Sequence, residues 1–431
     1  MDIEARRGAT GHPARRRAWT LAALATPIGL ALYFTWRATS LGGLPDVGDP
    51  FDVAAFADAK IRDDDNAFVL YRQAGERLRR EPGWDGSLDW ADWTTANESR
   101  RGWLAANREP LAIWRRGTGR PDARYVSPRD MTFATMLTAI EELRLLVRLA
   151  TLEGTRREAE GDFSGALDYY TGILRSGKHC GRRGVPIERL VGTLISKIGC
   201  ERITRWATDP RVDAAMLRRA LDAVAAAEAL TPTPSEVLKG EYMCFLNSLP
   251  DPKLLAPELT GGPELPRIYS WPGGRAFSED LTRNLRREPE RSRRVVRLVF
   301  ANWLAACDLP PDRRPPRAAA KVPGSPVSET LLPDLSVLDA SAPASARALP
   351  PDELNRWWKS TLYARRFLGS SYNRLSDVLQ AFDRDRSLHA NLMIALGNEL
   401  YQRDHGAYPV TAGELVGPYL KALPEGYVAP E

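Results

Sequence analysis

The chain has 431 residues, of which 43% are hydrophobic and 27% charged. This balance belongs to a folded globular protein and excludes wholesale disorder. A formal net charge of +5 and four cysteines exclude a strongly charged chain and a disulfide-dense scaffold. The four histidines, at positions 12, 179, 389 and 405, leave little material for a His-rich metal site.

The N-terminus carries the clearest signal. Residues 18 to 36 read AWTLAALATPIGLALYFTW, 19 residues without a charge. About 20 apolar residues cross a bilayer core. Arg6, Arg7, Arg15, Arg16 and Arg17 precede the stretch, against only Asp2 and Glu4. The excess of arginine predicts a cytoplasmic tail over 1–18 and a transmembrane helix over 19–36. Everything after Arg37 then lies outside the cytoplasm, and the lipid bilayer of the inner membrane is the first partner. That location sets nucleic acid aside as a partner. Trp19, Tyr33, Phe34 and Trp36 sit at the two ends, where interfacial aromatics belong. A cleaved secretory signal is the rival reading, with an unusually long apolar region. Outside the cytoplasm Cys180, Cys200, Cys244 and Cys307 can oxidise. They show no CxxC spacing, and four small buried hydrophobes is the simpler reading.

A connector over 37–62 leads to a region, 63–247, in which almost nothing alternates with period two. Asp63-Asp64-Asp65-Asn66 reads as a helix start followed by Phe68, Tyr71, Ala74 and Leu78 on one face. A Trp-rich stretch follows, with Trp84, Trp90, Trp93, Trp103 and Trp114. Such a cluster can bind carbohydrate or lipid headgroups, and more often it packs a core. Thr95 and Glu98 look like a capping box opening a helix through Trp114. Further helices are expected over about Met131–Ala159, after Gly161-Asp162-Phe163, from about Pro186 and from about Ala214. Thr233, Pro234 and Glu236 mark a fifth as N-cap, first and third positions. The expected fold class is all-α, built from antiparallel helical hairpins.

Residues 248–351 change character. An Arg-rich helix is expected from Arg275 to about Cys307, with Val295, Val296, Val299, Trp303 and Ala306 on an apolar face. Its arginines, interleaved with Glu288 and Glu290, read as a solvated face. Ten prolines between 308 and 351 read as an extended linker or surface-wrapping loop. In the C-terminal segment, 352–431, Leu368, Tyr372, Leu375, Leu379 and Phe382 are spaced 4, 3, 4, 3. The register continues through Arg386, His389, Met393, Leu396 and Leu400. This seam predicts one long helix, or two in line, laid on the helical domain or a partner. Gly406 and Pro409 should end it, and Thr411 to Leu420 should form a short final helix.

No cofactor motif emerges. Gly172 to His179 nearly matches a phosphate-binding loop, but His179 replaces the hydroxyl and a helix precedes the glycines. A helix end capped by Gly177, with Lys178 beside the negative pole, explains it better. Asp404-His405 is the place for acid/base chemistry, if the chain has any.

The segment AEGDFSGALDYY (159–170) resembles the helix-turn-helix junction of tetratricopeptide repeats, without a second copy at that period. Residues 394–424 resemble the helix-turn segment of type II secretion pseudopilins. Leu400, Tyr401, Gly406, Tyr408, Pro409, Leu415, Tyr419, Leu420 and Pro424 carry that likeness. In pseudopilins the segment follows closely behind the membrane helix; here about 350 residues intervene. The chain is also similar in arrangement to uncharacterised families of bacterial single-pass envelope proteins, which implies a fold style and no activity. The reading favoured is a membrane-anchored, extracytoplasmic structural or interaction module of the cell envelope with an envelope protein partner. Its candidate contact residues are Trp84, Trp90, Trp93, Leu368, Tyr372, Leu375, Leu379, Tyr408 and Pro409. The alternatives are an envelope hydrolase with its site near His405 and a Trp-lined ligand-binding module.

Overall fold

The computed structural model describes residues 27–36, 39, 41–81, 92–133, 135, 138–250, 287–320, 328–338 and 343–427. At 319–320, 328–331, 362 and 365–378 only the backbone is described. The chain is helical over 27–36, turns at 41–43 and runs irregularly over 44–52 into α1 (Val53–Asp58), with α2 (Ala67–Glu76) beyond it. Helices α3 (Glu98–Ala106), α4 (Arg108–Thr118), α5 (Thr138–Ala159), α6 (Phe163–His179) and α7 (Pro186–Ala207) follow. Then come α8 (Ala214–Glu228), α9 (Pro234–Ser248), α10 (Glu288–Leu304), α11 (Pro351–Ser360) and α12 (Leu362–His405). The all-α expectation holds. The exception is an antiparallel hairpin of β1 (Arg317–Ala320) and β2 (Ser328–Pro333). Ala320 faces Ser328, Ala319 faces Glu329, and an irregularity separates Ala319 from Arg317.

Side-chain caps fix the helix starts. Asn66, Asp162, Asp213 and Thr233 each accept a hydrogen bond from a backbone N–H in the first turn of α2, α6, α8 and α9. The expected helix from Thr95 through Trp114 is corrected to two. Thr95 belongs to a short 3-10 turn, and Asn97 caps α3 instead. Asn107 splits α3 from α4 because its buried amide serves another segment. Its Nδ2 donates to the Arg79 and Trp103 carbonyls, and its Oδ1 accepts from the Arg79 N–H at 2.7 Å. Residues 131–133 are not helical, and α5 is described from Thr138. The expected last helix is a 3-10 turn, Ala412–Leu415, closed by the Thr411/Glu414 capping box.

Two large cores organise the described residues. The first joins α2 to α8 with the C-terminal half of α12, through residues such as Trp114, Leu146, Tyr170, Ile203, Leu396 and Leu400. The second joins α9, α10 and α11 with the connector, through Leu44, Tyr242, Val295, Phe300, Trp303 and Leu354. The Pro-rich stretch is not a free linker. Leu332 joins the second core, and Leu335 and Ala346 pack with Ala301 and Ala306 of α10 and its C-terminal extension. Arg314 forms an ion pair with Asp383 of α12 at 2.6 Å. Prolines stop the segment from forming long helices, yet enough apolar side chains remain to hold it down.

Helices α6 and α7 touch backbone to backbone. A Cβ added to Gly177 would lie 2.6 Å from Ser196 N, and one added to Gly192 would lie 2.5 Å from Gly177 O. Gly177 therefore lies inside α6 as a packing residue, not as its C-cap. All four cysteines are free and buried. We predict that Gly192→Ala forces these helices apart and lowers stability by about 1–3 kcal/mol in urea unfolding.

Candidate functional site

The connector is fastened to the body by charge and packing. Leu44 is 2% exposed, and Arg294 of α10 donates to its carbonyl at 3.0 Å. Arg297 pairs with Asp46 at 2.9 Å and with Asp49 at 3.0 Å. Tyr242 of α9 donates to Asp49 as well, at 2.6 Å. The Gly48 backbone N–H and the two guanidinium groups hold the Asp46 carboxyl below its usual range, against a smaller opposing effect of burial. The arginine face of α10, expected to be solvated, is thus partly neutralised by the connector's carboxylates. Arg291 of the same helix is buried beside Glu288 and Ser360.

A second cluster lies where α6, α7, α8 and α12 meet. Lys178, fully buried, donates to Asp385 at 2.6 Å and to Glu228 at 2.7 Å. Arg189 donates to the same Asp385 oxygen and, at 3.1 Å, to the Gly177 carbonyl. Its guanidinium also lies over the Phe382 ring. His389 Nδ1 is 3.3 Å from the Glu228 carboxylate. Burial alone would raise the Asp385 carboxyl, but Arg189 and Lys178 outweigh it and hold it below the ordinary value. Burial pushes His389 down and favours the neutral ring. Two cations thus face two carboxylates. Lys178 lies in the last turn of α6, as expected, and is also the buried anchor of this cluster. Beside Arg386 and His389, through which the α12 seam runs, Asp385 turns inward and is 2% exposed.

Two further ionisable groups are sealed in. His179 Nε2 lies 3.1 Å from the Arg120 carbonyl, which only accepts, so Nε2 carries the proton. Nδ1 then accepts from the Tyr71 hydroxyl at 2.7 Å. Burial, aided by Arg175, pushes His179 down to about 3. Glu188, 1% exposed, is pushed up to about 8 by burial, despite a hydrogen bond from the Val185 N–H. Both groups are neutral at moderately acid pH.

The sequence-derived contact residues scatter. Trp84 and Trp90 lie outside the described residues, as do the side chains of Leu368, Tyr372 and Leu375. Trp93 is half-buried in its 3-10 turn, with the Arg101 guanidinium 4.8 Å above its ring. Trp103 and Trp114 pack the first core. Leu379 packs against the second core, and Phe382 meets Val237 and Leu190. Tyr408 is exposed, and its hydroxyl donates to Glu399 at 2.9 Å; Pro409 is half-buried. Gly406 closes α12 at φ +76°, as expected, while Leu415 and Leu420 are buried in the first core.

Asp404 and His405 do not form an acid/base pair. Asp404 accepts from Tyr419 at 2.9 Å and pairs with Arg218 at 3.2 Å. His405 stacks on Tyr401, with ring centroids 4.2 Å apart. Among the described residues no group of three or more His, Cys, Asp or Glu is arranged to hold a metal ion. A cleft of about 720 Å³ is lined by Gln73, Glu109, Arg115, Arg116 and Tyr169. Another of about 630 Å³ lies against the connector, between Asp49, Phe51, Arg129 and Asn247. No protein-family model, curated protein or solved structure matches this chain. The arrangement can bind α12 to the body and the connector to α10.

Two outcomes test these clusters. Asp385→Ala leaves Lys178 and Arg189 buried and undercompensated, so we predict a loss of about 3–5 kcal/mol and faster proteolysis within α12. The second outcome concerns pH. Between the ordinary His value of 6.5 and about 3, the unfolded chain binds more protons than folded His179, so stability falls as pH drops there. Between 4.5 and about 8, folded Glu188 binds more protons than unfolded, so stability falls as pH rises there. The two slopes cancel between 4.5 and 6.5. Above that window only the Glu188 slope remains, costing about 2 kcal/mol by pH 8. Glu188→Gln should abolish this alkaline decline in melting temperature; a decline of unchanged slope refutes the assignment.

Proposed function

We propose that this chain is a membrane-anchored, extracytoplasmic helical protein of the cell envelope that acts as a structural or protein-interaction module. The observation that carries the reading is the character of the helix over 27–36. Ile28, Leu30, Leu32, Phe34 and Trp36 are each more than half exposed. At 100° per residue these positions fall on two opposite sides of the helix. Large apolar side chains exposed on opposite sides of one helix suit hydrocarbon. The 19 uncharged residues of which this helix is part, and the arginines before them, support the same reading. No helix of the described residues is long and apolar enough to cross a membrane by itself, and residues 1–26 lie outside the described residues.

The interior chemistry supports a structural role. Two strongly shifted groups, His179 and Glu188, are sealed from solvent, and the cluster around Asp385 serves to join helices. The C-terminal turn presents Tyr408, Val410, Val416 and Leu423 to solvent, which suits contact with an envelope protein partner.

Membrane extraction tests the anchor. The full chain should stay in the pellet under alkaline carbonate, and added protease should cut it from the outer face of spheroplasts. Ile28→Arg should cost insertion about 3 kcal/mol and move much of the chain to the soluble fraction. A wild-type chain released by carbonate, or fully protected in spheroplasts, overturns the proposal.

A further inference from the structure

An anchored chain turns one face of its body toward the bilayer, and the choice of that face rests on the anchored reading. The exit from the 27–36 helix is hydrogen-bonded. Thr39 Oγ1 donates to the carbonyls of Thr35 at 2.9 Å and Trp36 at 3.1 Å. Gly42 N–H donates to the Thr39 carbonyl at 2.8 Å, and Leu44 N–H to that of Leu41 at 3.1 Å. Seven positions separate Trp36 from Gly43, so even a fully extended chain would span at most about 25 Å between them. Gly43, at φ +80°, sits against α11: a Cβ there would lie 3.8 Å from Trp357 Cζ2. The buried Leu44 and its bond from Arg294 keep the turn from swinging away. Helix α11 is therefore held beside the membrane exit.

The charges of α11 are sorted along its length. Asp352 and Glu353 occupy its first turn, where carboxylates suit the helix dipole. Arg356 and Lys359 lie in the later turns, with Trp357 and Trp358 between them. The Arg356 side chain is 73% exposed, and Asp352 approaches it only to 4.0 Å. Lys359 is exposed, and both tryptophans are half-buried at the edge of the second core, Trp357 beneath the Arg291 guanidinium at 5.2 Å. Tryptophan settles at the membrane interface, and Lys and Arg near the surface are drawn to anionic headgroups.

We propose that the C-terminal half of α11, with Arg356, Trp357, Trp358 and Lys359, docks on the anionic phospholipid headgroups of the membrane that holds the anchor. The body is then seated on the bilayer rather than swinging from a tether.

The test uses the full chain in lipid nanodiscs. Because the native cysteines are buried, a new one takes an environment-sensitive fluorophore selectively. Ser360→Cys reports on α11. Val410→Cys, at a position 92% exposed and beyond the far end of the 44-residue α12, is the control. In discs with anionic lipid, the label at 360 should shift to the blue and lose most of its quenching by iodide, while the label at 410 should not. Purely zwitterionic discs should return the label at 360 to the quenching seen at 410. The R356E/K359E pair should do the same in anionic discs, with the chain still embedded and its melting curve unchanged. Equal quenching at 360 and 410 in anionic discs, with the chain embedded, overturns the docking and leaves the anchor standing. Protection at 360 that ignores lipid charge overturns it too. A chain that does not enter discs at all overturns the anchor first, and the docking with it.

Discussion

One carboxylate, Asp385, holds the end of the chain to its middle. It enters a space already occupied by Lys178 and Arg189, which the first core surrounds. Without it, two cations would stand in a low-dielectric interior with Glu228 as their remaining carboxylate neighbour, an arrangement that costs several kcal/mol. Helix α12 therefore cannot lift from α6, α7 and α8 without exposing or stranding charge. Packing of Leu392, Leu396 and Leu400 adds apolar burial on the same face. The ion cluster sets the register of the long helix, and the leucines fill in around it. Sliding α12 by one turn would take Asp385 out of reach of both cations.

The second core depends on a different arrangement of the same chemistry. Arg294 and Arg297 on α10 reach for Asp46, Asp49 and the Leu44 carbonyl, so the connector becomes part of the body. These pairs are half-exposed, and salt weakens them more than it weakens the Asp385 cluster. Leu44, Phe51 and Tyr242 supply the salt-insensitive share of that contact.

Local chemistry is legible in the sequence, and distant pairing is not. Thr233, Pro234 and Glu236 announce α9, and Asp162 and Gly406 mark a start and an end, because caps act over three or four residues. Asn107 gives no warning as a breaker because its partners at Arg79 lie 28 positions away. Lys178 reads only as a cation beside a helix end; its partner Asp385 is 207 positions distant, and nothing local reveals that the lysine will be buried. The heptad seam predicts one long helix or two in line, and α12 is one. The seam runs through Arg386 and His389, whereas the neighbouring Asp385 makes the ion pairs with Lys178 and Arg189. The proline density hides the anchors Leu332, Leu335 and Ala346, which act through contacts with α10 and its surroundings. The Tyr71–His179 pair joins α2 to the end of α6 across 108 positions and leaves no local trace.

Helix α12 has a mechanical consequence. It runs without a break for 44 residues, about 66 Å of helical rise. A pull on the C-terminal turn along that axis would not peel contacts one after another. It would load the Asp385 ion pairs, Phe382 and the leucines in parallel, in shear, so that they resist together. Force applied at one end of such a strut reaches the other end with little slack, and the fold gives before the helix slides.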